Sequence, residues 1–356
     1  MNNKIGAIGL PVHRVHLELT NVCNFSCEFC PDSKMKRKKG YMQADMAKAI
    51  LDEVSSSGLA EWVFLHVMGE PTLHPGLTDI AAYAGSKGLK VSITTNGSRL
   101  DLPLLRSLSG AGVRQIVLSL QTPDEKTFAM RGAKDLPFEE YVKRIITVAR
   151  EVINNPRDTE LVVSFLSSPL RRLIIPIAGE FSIADTTGKL RNYLALWAER
   201  LLKDTPAEAE LPRVRKKIGR AGCFRENSIQ LTDRLSFHTR IVGDWATHFD
   251  RPVVRARFGY CNGIQQNFGI LWNGDYVYCC ADYDGRTSSA NFRDVSVAGF
   301  LHGERVQRTV KGFQRFRVLD SHCQSCIGDP SRLNSFVKQI GSILYFSVIK
   351  KHKVSP

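Results

Sequence analysis

From Val15 to about Ser167 the chain alternates between short apolar runs and longer amphipathic ones, and no other feature restricts its fold as much. Five runs rich in β-branched or aromatic residues read as strands: Val15–Leu19, Trp62–Val67, Lys90–Thr95, Gln115–Leu120 and Glu160–Leu166. Between them Ala44–Ser57, Leu77–Ser86, Leu102–Ser109 and Phe138–Asn154 carry helical periodicity. In the last of these Val142, Ile145, Ile146, Ala149 and Ile153 form one stripe, and Pro156 stands just beyond its end. Parallel strands need a crossover and a helix supplies it, so this alternation predicts a parallel sheet wound as an open or closed barrel. Its function is then expected at the C-terminal ends of the strands. With 356 residues, of which 43% are apolar, the chain can fill a large core and has room for about two domains, which excludes disorder for most of it.

The nine cysteines fall into an early and a late group. Met1–Leu10 has no basic segment followed by an apolar one, and no run approaches the roughly 20 apolar residues of a membrane span. The expected setting is therefore cytoplasmic, with no membrane, where thiols stay reduced and serve metal binding or redox chemistry. Cys23, Cys27 and Cys30 form a C-x3-C-x2-C loop directly after the first strand. Three thiolates this close can hold three irons of one [4Fe–4S] cube and leave the fourth iron open, as a catalytic cluster requires. A zinc knuckle would want a fourth Cys or His nearby, and buried structural cysteines are the plainer alternative. The next strands end on Gly69-Glu70-Pro71, a glycine beside a carboxylate suited to a cationic amine, on Thr95-Asn96-Gly97, and on Ser119-Leu120-Gln121.

In this order, over about Val15–Gly132, these elements resemble the radical S-adenosylmethionine (radical SAM) enzymes. The resemblance implies a partial (β/α)6 TIM-type barrel in which SAM chelates the open iron and is cleaved reductively to a 5′-deoxyadenosyl radical. Cys23, Cys27 and Cys30 would be the cluster ligands, and Phe29 would lie beside the adenine. Gly69, Glu70 and Pro71 would bind the methionyl amino group, Thr95, Asn96 and Ser119 would contact the ribose and methionine moieties, and Arg131 would pair with the SAM carboxylate. Gln121 departs from the Asp common at its position in the family.

The late cysteines refine the resemblance. Cys261 and Cys279 bracket a predicted hairpin, Phe268–Trp272 with Tyr276–Tyr278 around Asn273-Gly274-Asp275, and Cys323 and Cys326 follow as C-x2-C. Four thiolates make a closed site for an auxiliary [4Fe–4S] cluster, although spacing alone suits zinc equally well. The pattern is similar to the SPASM/twitch extension, in its shorter single-cluster form because Ile327–Ser335 contains no cysteine. Cys280 is then expected to pack next to a ligand without ligating, and Cys223 to be an ordinary thiol.

The fold class expected is thus α/β, a partial (β/α)6 barrel followed by a small α+β twitch (SPASM-like) iron–sulfur domain. The boundaries are 1–255 for the barrel, with an extra segment around 168–232, then 256–330 for the twitch domain and 331–356 for a basic helical tail against the barrel. Lys189–Lys203 reads as the fifth barrel helix and Leu235–Val242 as the sixth strand, which brings His238, Arg240 and Asp244 to the cavity rim as candidate substrate or proton-transfer residues. Lys and Arg outnumber Asp and Glu by 49 to 35, a net charge of +14. Basic runs at Lys36–Lys39 and at Arg213, Arg215, Lys216, Lys217 and Arg220 read first as solvated faces. Functionally they suit docking of an acidic flavodoxin or ferredoxin as reductant, or capture of an anionic substrate. Nucleic-acid binding lacks a recognisable module, so a non-catalytic iron–sulfur or zinc protein of that kind is the third reading. The first is an oxidoreductase (dehydrogenase, epimerase or related) acting on a hydroxylated small molecule such as a sugar or aminocyclitol. The second is a peptide or protein maturase, disfavoured by the single auxiliary site and by a barrel that begins at about His13.

Overall fold

The computed structural model describes residues 4–169, 182–242, 248–249 and 252–346. A two-stranded hairpin, β1 (Lys4–Ile5) with β2 (Ile8–Gly9), precedes the main sheet. The sheet then alternates as expected: β3 (Val12–Leu17), α1 (Ala44–Ser56), β4 (Ala60–Phe64), α2 (Leu77–Ser86), β5 (Lys90–Thr95), α3 (Leu102–Gly110), β6 (Val113–Gln121), α4 (Phe138–Asn154), β7 (Glu160–Ser167) and α5 (Thr187–Leu202). A short helix α6 (Leu211–Ile218) and an edge strand β8 (Asn227–Gln230) lead into β9 (Leu235–Ile241). Strands β3, β4, β5, β6, β7 and β9 pair in parallel in that order, the six strands of the expected open barrel. β8 lies antiparallel on β9 and covers the far edge.

β3 and β4 stop short of the predicted Leu19 and Val67 because apolar burial outlasts the ladder: Leu19, Leu65 and Val67 remain buried beyond the last paired residues. The buried face of α4 is Tyr141, Ile145, Val148, Ala149 and Val152, rotated from the predicted stripe; Val142, Ile146 and Ile153 are only half-buried. The rotation is set by Tyr141, which stacks on Phe128 and donates to the Asn96 carbonyl at 2.8 Å.

The predicted hairpin is β10 (Asn267–Ile270) with β11 (Tyr276–Val277), turned at Gly274 with φ +94°. It does not stand apart. β10 pairs in parallel with β3, Asn267 opposite Arg14 and Ile270 opposite Leu17, so the late segment continues the barrel sheet at its open edge. The helices α7 (Val297–His302), α8 (Glu304–Gln314), α9 (Ser321–Ile327) and α10 (Arg332–Leu344) follow. The tail helix was expected against the barrel; α10 instead lies on the backbone of residues 254–260, where Ser335, Gln339 and Ser342 hydrogen-bond it. Among the described residues no helix is long and apolar enough to cross a membrane.

In the run Lys36–Lys39 the side chains of Lys36, Lys38 and Lys39 are exposed, as on a solvated face, but Arg37 turns inward. Arg37 grips the fully buried Glu18 carboxylate with two hydrogen bonds, at 2.6 and 2.5 Å, and its Nε donates to the Tyr283 carbonyl at 2.6 Å. Lys39 pairs with Asp32, and the Lys36 amide donates to Asp284 at 2.7 Å. A buried carboxylate demands such a partner, so this run ties the barrel to the segment after β11. The second run does lie exposed, on and after α6, with Arg215 near Glu199 at 3.3 Å.

Candidate active site

The loop carrying Cys23, Cys27 and Cys30 leaves the C-terminal end of β3 and is held from two sides. Gly69, after β4, has φ +76°, and a Cβ there would stand 2.5 Å from the Thr20 carbonyl. Gly132 has φ +52°, and its Cβ would meet the Ser26 carbonyl at 2.9 Å. These are close backbone approaches that only glycine permits. The Ser26 and Glu28 amides donate to the Arg131 and Met130 carbonyls at 3.1 and 3.0 Å, and Asn96 Nδ2 donates to Asn24 Oδ1 at 2.9 Å. Burial raises the Cys23 thiol to about 11 and Cys30 to about 12, with neighbouring Cys27 adding to both. Such thiols ionise only when a strongly thiolate-binding cation replaces the proton, which is how metal-holding cysteines behave.

Glu70 is held by several donors of this chain. Its buried carboxylate accepts from the Thr72 amide at 3.1 Å, from the Thr72 and Thr95 hydroxyls at 2.7 Å each and from the Asn96 amide at 2.6 Å. Three of these donors converge on Oε1 and only the Asn96 amide reaches Oε2, so Oε2 keeps a lone pair for a further donor. Glu70 and Thr95 therefore clasp the ends of β4 and β5, while Glu70 Oε2 can accept one donor more. Glu70→Ala should leave several buried donors unpaired and lower stability by about 3 kcal/mol. A fall in the urea midpoint checks this, and an unchanged midpoint would refute it.

Arg131 is buried over the Phe25 ring at 5.0 Å, and its Nη1 donates to the Ser119 and Leu120 carbonyls at 2.6 and 2.5 Å. Its Nε is a buried donor without a partner, and Cys27 lies beside it. That orphan N–H fits an anionic group at the cysteine loop. Phe29 packs against a small apolar cluster of Met130, Leu166, Ile183 and Val242, and Ser119 is half-buried. Gln121 sits in a β-bulge against β7 with φ +61°, so its backbone, unlike a regular strand end, turns out of the sheet.

The late cysteines converge at the other end of the barrel. β11 runs antiparallel to β10, so Cys279 lies toward the N-terminal ends of the strands, where Cys261 enters and α9 presents Cys323 and Cys326. Burial raises Cys279 and Cys323 well above the ordinary thiol range, and the charges of Cys261 and Cys326 raise both further. Among the described residues no group of three or more His, Cys, Asp or Glu closes around a single metal ion.

Between the two cysteine sites lies the barrel interior. Along β3 and just beyond it, Arg14, His16 and Glu18 alternate with the outward Val15, Leu17 and Leu19, which join the helix-covered core. His16 Nδ1 donates to the His66 carbonyl at 3.1 Å, the two rings are 5.6 Å apart, and Arg14 lies 4.9 Å over Phe64. Burial, then the charges of His16, Arg240 and Arg14, hold His66 well below the ordinary imidazole range, so it is neutral. Burial alone would raise Cys280, but a hydrogen bond and charge from His16, with Arg14 and Arg240, hold it at about 7.

Of the three predicted rim residues, Arg240 is exposed into this interior and His238 is buried on the same face of β9, opposite Ser164. Asp244 lies outside the described residues. Sequence reasoning missed Arg14, His16 and His66. The period-2 polar alternation in β3 was the available signal, since a strand buried on both faces by apolar layers would not carry it. Cys223 is buried in the main core beside Thr187.

The radical SAM superfamily model matches residues 17–164, and that of the SPASM iron–sulfur cluster-binding domain matches residues 261–327. The tungsten-containing aldehyde ferredoxin oxidoreductase cofactor-modifying protein of Pyrococcus furiosus is 30% identical over 106 residues, 30% of this chain and 30% of that protein. The Fe-coproporphyrin III synthase of Methanosarcina barkeri is 32% identical over 117 residues, 33% of this chain and 29% of that protein. The chain thus spans about a third of the length of these curated relatives. The structure of Streptococcus suis SuiB aligns over 97% of this chain and 76% of its own at a TM-score of 0.55 and 17% identity, a likeness of fold. The chain belongs to the radical SAM superfamily, with a [4Fe–4S] cluster and S-adenosylmethionine as cofactors, and carries after its barrel a SPASM-type domain for an auxiliary iron–sulfur cluster.

Proposed function

We propose that this enzyme dehydrogenates a hydroxylated small molecule, of sugar or cyclitol size, that carries a phosphate or carboxylate. What supports the reading is the barrel interior between the two cysteine sites, where Arg14, Arg240, His16 and His66 face one another and Glu18, the acid nearest in the sheet, is engaged by Arg37. A guanidinium pairs with a carboxylate or phosphate in bidentate geometry, so two of them in one chamber suit an anionic substrate group. When bound, the loop cluster and SAM, held by Cys23, Cys27, Cys30 and the Arg131 side, supply a 5′-deoxyadenosyl radical as hydrogen-atom acceptor, and the auxiliary cluster on Cys261, Cys279, Cys323 and Cys326 supplies a one-electron acceptor.

Oxidising a carbinol releases one hydrogen atom, one proton and one electron. The proton needs a base on this chain, and His66 offers Nδ1, a buried ring nitrogen without a partner on a neutral imidazole. Arg14 and Arg240 would hold the anionic group, and the apolar Phe29 side would exclude water from the mouth. The basic run on α6 remains the surface suited to an acidic flavodoxin or ferredoxin.

The test is the anaerobically reconstituted holoenzyme assayed with hexose phosphates and hexuronates for 5′-deoxyadenosine and a product two hydrogens lighter. Arg240→Gln should raise KM about 10- to 100-fold with kcat changed far less, as loss of a charged hydrogen bond dictates. Turnover of only neutral or peptide substrates, or a KM indifferent to Arg240, would overturn the reading.

A further inference from the structure

α10 is amphipathic in the reverse sense. Its polar side chains face the protein: Ser335 Oγ donates to the Val254 carbonyl at 3.0 Å, Gln339 Oε1 accepts from the Arg257 and Phe258 amides at 2.9 and 3.2 Å, and Ser342 Oγ accepts from the Tyr260 amide at 3.1 Å. Its apolar residues face out, with Leu333 70%, Phe336 51%, Val337 59%, Ile340 40% and Leu344 56% exposed. These positions recur at three- and four-residue intervals and so form one stripe along the helix. Val254, beneath Ser335, and Phe316, against Tyr260, extend it as exposed apolar residues of the supporting backbone. A contiguous apolar patch of this kind marks a surface that something covers.

The charges beside the stripe identify the occupant. Arg255, Arg257, Arg315, Arg317, Arg332 and Lys338 are all exposed on α10 or on the segments it packs against, and none forms an ion pair with a described residue. Lys350, Lys351 and Lys353 follow in the sequence. A second copy would bring the same cations against each other. A lipid headgroup layer accepts both features at once, the stripe entering the acyl boundary and the cations meeting anionic headgroups.

We infer that α10 is a peripheral membrane anchor that docks this enzyme on anionic phospholipid surfaces, independently of its substrate. Attachment of this kind needs no spanning helix. The experiment is flotation of the full-length holoenzyme with phosphatidylcholine vesicles containing phosphatidylglycerol and with pure phosphatidylcholine vesicles. Binding is expected only to the anionic vesicles and should weaken with salt. The variant Leu333→Ser/Phe336→Ser/Ile340→Ser should lose roughly tenfold or more in affinity, as should Arg255→Glu/Arg257→Glu, while both keep wild-type 5′-deoxyadenosine formation. As a second readout, Phe336→Trp should show a blue-shifted emission on adding anionic vesicles. Failure of the wild type to float, equal binding to both vesicles, an emission that does not move, or a wild-type dimer that the triple-serine variant dissociates would each overturn the inference.

Discussion

Replacing Cys23, Cys27 and Cys30 together by alanine is expected to leave a folded protein that has lost about four irons per chain and forms no 5′-deoxyadenosine. Folding should survive because the loop is positioned by its backbone. The Gly69 and Gly132 approaches, the Ser26 and Glu28 amide bonds and the Asn96–Asn24 contact use no thiol, and all three cysteines are only half-buried. Activity should not survive, because the open iron that chelates SAM exists only if three thiolates hold the other irons. Iron analysis and chromatography of the nucleoside product check both halves, and SAM cleavage by the triple variant would refute the assignment. Gly69→Ala should reproduce part of the effect without touching a thiol, since its Cβ would displace the Thr20–Asn21 backbone.

Removing Cys323 and Cys326 should have the second largest effect and a different character. Both sit on α9, a helix whose start is capped by Asp320 accepting from the His322 amide at 2.9 Å, and Asp320 is itself held by Arg305 at 2.9 Å. The double alanine variant should lose the irons of the auxiliary site, abolish substrate oxidation and retain some uncoupled SAM cleavage at the first cluster. Because metal binding and folding are linked in small cysteine-held units, a lowered melting temperature of the late segment should accompany it. β10 lies in the barrel sheet through β3, so the barrel edge should loosen as well. A reconstituted wild type holding only about four irons with zinc at the late site would show the barrel reading right and the auxiliary reading wrong.

The parts of this molecule that follow short-range rules were legible from its amino acids. Lys90–Thr95, Leu77–Ser86 and Phe138–Asn154 appear with the predicted bounds because burial, periodicity and end signals act within a few residues of one another. The cysteine loop and the turns after β4 and β5 were legible for the same reason: the chemistry of a cluster loop is written in contiguous residues. Arg37, inside the exposed run Lys36–Lys39, was misjudged because its partners Glu18 and Tyr283 lie far from it along the chain.

By itself, then, the sequence determined the barrel, the two cysteine groups and the family. Only the tertiary structure decided what each polar side chain faces. It engaged Glu70 with four donors, joined the late hairpin to β3, brought Arg14, His16, His66, Arg240 and Cys280 into one chamber, and turned the apolar side of α10 outward. The physical reason is that a hydrophobic period specifies which face of an element is apolar, whereas hydrogen bonds and charges are satisfied by whichever groups the packing brings within about 3 Å. In this chain most of those groups come from strands and loops distant in sequence.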